Sequence, residues 1–89
     1  MMATVIDKLE YATMTDITTL VKSIQSKHPP SEEAVGAEIK RIAKYAGRVD
    51  GEIASLAINQ LHRRATRSEL RAIESHDCYE KLLRLRDTL

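Results

Sequence analysis

Apolar residues recur along this chain at helical spacing. Ile17, Leu20, Val21 and Ile24 form an i, i+3, i+4, i+7 set, with Thr15 or Asp16 as its cap and with Ile6 and Leu9 projecting onto nearly the same face. The five threonines from Thr4 to Thr19 lower helix propensity, so residues 1–14 are expected to be weakly ordered and residues 15–89 to form a single helical domain. Pro29 and Pro30 stop this segment, and Ser31 can cap a second helix whose first turn carries Glu32 and Glu33. There Val35, Ile39, Ile42 and Ala46 lie within about 60° of one another at about 100° per residue. Gly47 stands where a left-handed terminus is wanted.

A third stripe, Ile53, Ala57, Ile58 and Leu61, predicts a helix from near Asp50 to about Arg64. Asp50-Gly51, the one pair that could mark a hairpin, is flanked by helical spacing instead. An unbroken helix onward from Leu61 would turn Leu70 and Ile73 about 120–180° away from it. Thr66 with Glu69 has capping-box spacing, which predicts a break near Ala65–Thr66. A second phase slip precedes the stripe of Cys78, Leu82, Leu85 and Leu89. Asp77 with Glu80 offers a further capping box for a kink near Ser75–Asp77.

The pattern therefore predicts an all-α fold, a small bundle of three to four short helices. Eighty-nine residues with three Tyr and no Trp or Phe limit the core to Ile, Leu, Val, Ala and Met. A chain this short buries only about 60–65% of its unfolded surface. Apolar stripes exceed what such a bundle buries alone, so completion by homodimerisation is expected. The expected seam is Val35, Ile39 and Ile42, with the Leu82 and Leu85 face as second choice.

The net charge of +1 argues against a polybasic nucleic-acid coat. One cysteine forms no internal disulfide, and neither a signal-like segment nor a membrane-length apolar run occurs, so a cytoplasmic, membrane-free protein is expected. Cys78, His76 and His62 are the only grouping suggestive of a metal or a nucleophile. Structural zinc wants four ligands, and Cys78 falls on an apolar stripe, so a buried structural thiol is the better reading. No Gly-rich phosphate loop is present, and Glu32–Glu33 is accounted for by its place at a helix start. No catalytic, cofactor-binding or metal residues are expected, and no enzyme.

His62, Arg63, Arg64, Arg67 and Arg71 make one basic cluster, either solvated and complementing a helix dipole or meeting phosphates or an acidic protein surface. Lys40, Arg41, Lys44 and Arg48 make a second basic face. Ser55, Asn59 and Gln60 are the nearest approach to a base-reading set, and a weak one.

Asp16-Ile17 opens a short apolar segment, followed by Glu33-Ala34-Val35-Gly36-Ala37-Glu38-Ile39 and Gly47-Arg48-Val49. Ile53 to Leu61 and then Asp77-Cys78-Tyr79-Glu80-Lys81-Leu82-Leu83 complete the pattern. On these residues the chain, from about Asp16 to Leu85, resembles the small enterobacterial regulators of the biofilm-development family, the AriR/YmgB/YcgZ-type two-component connectors. The stretch between Leu61 and Asp77 is longer than the family pattern. The resemblance implies a non-enzymatic, all-helical homodimer that acts on a signalling protein of a phosphorelay controlling biofilm and acid-stress programmes. Two alternatives stay open beside it, a DNA-binding or nucleoid-associated modulator using Arg63 to Arg71, and a phage-encoded inhibitor of a host protein.

Overall fold

A computed structural model describes residues 5–88, with side chains from residue 10 onward. The described residues form five helices and no strand: α1 (Val5–Ile24), α2 (Glu32–Ala46), α3 (Asp50–Arg64), α4 (Arg67–Glu74) and α5 (Asp77–Arg86). The count exceeds the expected three to four because both phase slips are true breaks. Ala65–Thr66 ends α3, and Ser75–His76 separates α4 from α5.

Local chemistry accounts for most boundaries. The Ser31 hydroxyl accepts a hydrogen bond from the Ala34 amide, and Gly47 closes α2 in the left-handed region at φ 67°. At α4, Thr66 accepts from the Glu69 amide at 3.2 Å, the half of the expected capping box that forms, while the Glu69 carboxylate accepts from the Thr66 hydroxyl at 3.0 Å rather than from its amide. The Asp77–Glu80 box does not form. His76 occupies the cap position without a side-chain bond, and Asp77 lies inside the first turn, where it complements the dipole.

α1 starts at Val5 and runs through Thr15 and Asp16, which therefore cap nothing. Thr15, Thr18 and Thr19 donate their hydroxyls to the carbonyls of Tyr11, Met14 and Thr15, one turn back, so each polar group is satisfied inside a continuous helix. Ile6 and Leu9 lie outside the described side chains, as does Leu89.

Contacts between helices set the topology. Glu10 meets Arg48, Met14 and Leu56 share a cavity wall, and Gln60 donates to Thr18, so α1 and α3 run parallel. Asp16 meets Arg41, while Ser23 faces Ala34 across a shallow hollow, so α2 runs antiparallel to α1. α5 lies across α2 and α3, tied by Arg84 to Glu32 at 3.1 Å and by Tyr79 to His62 at 3.0 Å. α4 tucks under the end of α1, with Ile24 and Pro29 opposite Ala72 and Ile73.

α3 is the central helix. Its buried Gly51, Ile53, Ala54, Ala57, Ile58 and Leu61 span roughly 160° of its surface, against about 100° for Val35, Ile39, Ile42 and Ala43 on α2. Small residues at Gly51, Ala54 and Ala57 let neighbouring helices approach closely, which suits a core almost without aromatic rings. The seam expected of Val35, Ile39, Ile42 and Leu82 is closed within the chain itself. All four have 0% exposure, because the two breaks let α5 fold back onto α2 and α3. Leu85 is half-buried against the same core. None of these four buried side chains is open to a second copy in this arrangement.

Candidate interaction surfaces

With the apolar stripes occupied internally, exposed features stand out at opposite ends of the α1–α3 pair. One end surrounds the ion pair of Arg48 with Glu10 (3.8 Å) and Glu52 (3.0 Å). Tyr11, Tyr45 and Val49 are exposed there by 77%, 61% and 56%, and Met14 by 38%. Met14 also lines a cavity of about 230 Å³ with Thr13, Leu56, Glu10 and Arg48. Sequence reasoning did not single out Tyr11, Met14 or Tyr45. A usable signal existed for Tyr11, which projects about 120° away from Ile17 on a straight helix and so falls off the core stripe.

The other end carries the C-termini of α1 and α3. Arg63 and Arg64 close α3, and Arg67 and Arg71 follow on α4 after a two-residue link. All four side chains are exposed, and none pairs with a carboxylate of the described residues. The structure thus brings the predicted basic cluster together at a corner. Arg63 and Arg64 sit where the negative end of a helix dipole favours cations.

The second basic face is partly neutralised. Arg41 is held by Glu38, whose hydrogen bond raises its already high pKa, and lies 3.7 Å from Asp16. Arg48 is engaged by Glu10 and Glu52, which leaves Lys40 and Lys44 without an ion pair among the described residues. The weak base-reading set dissolves as well. The Gln60 amide donates to Thr18 at 2.9 Å and its Oε1 is buried without a partner, so Gln60 faces inward rather than outward.

Cys78 is buried, and burial pushes its thiol up, which disfavours the nucleophilic thiolate. His62 is hydrogen-bonded to Tyr79, whose hydroxyl pKa is raised by burial first and by the Glu74 charge second, with Arg86 opposing. His76 instead lines a hollow of about 290 Å³ with Ile24, Lys27, Pro29, Glu69 and Ile73. Among the described residues no three His, Cys, Asp or Glu side chains gather as a metal would require. No described helix is long and apolar enough to cross a membrane.

Fold and surfaces together define a small all-helical protein with an apolar end and a basic corner. Comparison with protein-family models, with curated proteins and with solved structures finds no match.

Proposed function

We propose that this chain is a small non-enzymatic regulator of the cytoplasm that acts by protein–protein contact and works as a homodimer. One observation carries the reading: four large apolar side chains, Tyr11, Met14, Tyr45 and Val49, stay exposed at one end of a bundle that has already closed its core. Large apolar side chains left in solvent by a closed core are where small proteins meet partners. The Glu10–Arg48–Glu52 ladder beside them offers charges of both signs, which a two-fold-related copy can match in exchange. The seam is thereby moved from Val35, Ile39 and Ile42 to the outer face of α1 and the α2–α3 turn.

The signalling part of the proposal rests on the sequence resemblance, which points to a two-component phosphorelay governing biofilm and acid-stress programmes. A pull-down from the native host with mass spectrometry, at low and high salt, tests it. A phosphorelay component retained at high salt supports the reading, and its absence in favour of nucleic acid removes it. The basic corner favours one second reading, a DNA-binding modulator, which predicts affinity that falls steeply with salt.

A further inference from the structure

The chain treats its arginines in two ways. Arg41, Arg48, Arg84 and Arg86 each lie within 4.0 Å of a carboxylate. Arg63, Arg64, Arg67 and Arg71 pair with no described residue, although carboxylates stand close in sequence. Glu69 is withheld from them by the α4 cap, where it accepts the Thr66 hydroxyl. Four exposed guanidinium groups therefore fall within nine residues of one another, across the link between α3 and α4, with their planar donor forks uncommitted. We infer that this corner docks an acidic segment of a partner protein, through carboxylates gripped bidentately by two or more of these arginines. The inference rests on the protein-contact reading above and names the chemistry of the partner.

Geometry and charge favour a peptide over a nucleic acid. Arg67 and Arg71 are one helical turn apart on α4, about 6 Å along the surface. Carboxylates at alternate positions of an extended chain are separated by nearly the same distance, about 6.6 Å. Guanidinium forks match carboxylates two bonds at a time, which makes such contacts specific as well as strong. A duplex carries a charge about every 1.7 Å of its axis. Glu74, Asp77 and Glu80 follow close in sequence, on α4 and in the first turn of α5, and weaken the positive field that a duplex would need. A segment with a few separated carboxylates meets the arginines without meeting those groups.

The test uses the full chain and a fluorescein-labelled peptide of alternating Glu and Ala, read by anisotropy at low salt. A labelled duplex of mixed sequence is run in parallel. The peptide is expected to bind, and Arg64→Gln with Arg67→Gln to weaken it about tenfold. Lys40→Gln with Lys44→Gln should leave it unchanged, with circular dichroism confirming each fold. Equal loss from the lysine pair, no peptide binding at millimolar concentration, or tighter binding of the duplex at the same salt each overturns the assignment. A phosphorelay partner still captured by the arginine double variant also overturns it, while leaving the protein-contact reading standing.

Discussion

Lys81 lays the end of its side chain over Gly36. A Cβ built on Gly36 would stand 2.9 Å from Lys81 Cε, so the glycine marks where α5 crosses α2. Glycine within a helix costs roughly 1 kcal/mol relative to alanine. The atom in the way is the far end of a flexible side chain, which can swing aside. Gly36→Ala should therefore raise unfolding free energy by about 0.5–1 kcal/mol in urea titrations. Gly47→Ala should do the reverse, lowering it by about 1 kcal/mol, because φ there is 67° and only glycine adopts that region freely. Equal effects of the two changes would contradict the geometry.

Stability should fall in alkali. Cys78 and Tyr79 are both buried, and burial raises the pKa of each in the folded chain. The unfolded chain then loses its protons first, so stability is full below the unfolded values, about 8.5 for Cys and 10 for Tyr, and declines as pH rises through the folded ones. Melting temperature should be flat near neutrality and drop above about pH 9. In Cys78→Ala the onset should move up toward the tyrosine range. An onset unchanged in that variant would remove the thiol from the explanation.

Thr66 caps α4 by accepting from the Glu69 amide, and α4 is only eight residues long. Thr66→Ala should cost about 1 kcal/mol. The loss should be local first, read as faster hydrogen exchange at the Leu70 and Ile73 amides while the α3 amides near Ala57 keep their protection. Uniform acceleration across the chain would mean that α4 unfolds only with the whole.

Core and seam should separate cleanly. Ile39 is fully buried within the chain, whereas Met14 lies at the apolar end. Ile39→Val should cost about 1 kcal/mol and leave self-association unchanged. Met14→Glu should change stability little and shift the population from dimer to monomer by light scattering at micromolar concentration. A wild-type mass that stays monomeric at high concentration would sink the dimer, and a dimer indifferent to Met14→Glu would place its seam elsewhere.

Most helices were legible because their signals are local. Ser31, Gly47 and Thr66 act on amides and carbonyls within four residues, and the stripes at Ile17–Ile24, Val35–Ile42 and Ile53–Leu61 are properties of one helix at a time. The start of α1 was not legible in the same way. Threonine propensity argues against a helix, while the hydroxyl-to-carbonyl bonds of Thr15, Thr18 and Thr19 form only once the helix exists. The basic cluster was visible as composition. Its freedom from ion pairs was not, because pairing depends on which carboxylates other helices bring near.

The sequence by itself determined an all-helical chain, its principal breaks and the residues that avoid water, since periodicity and capping operate over one or two turns. Only the tertiary structure decided what those residues avoid water against. A buried stripe has no label for its partner: Val35, Ile39 and Ile42 could as well have met a second copy as α5. The two short links at Ala65–Thr66 and Ser75–His76 turn α5 back across α2 and α3, and loop direction, unlike periodicity, is settled by which packing excludes most apolar surface from water. The same return leaves Tyr11, Met14, Tyr45 and Val49 in solvent and gathers four arginines at the α3–α4 corner.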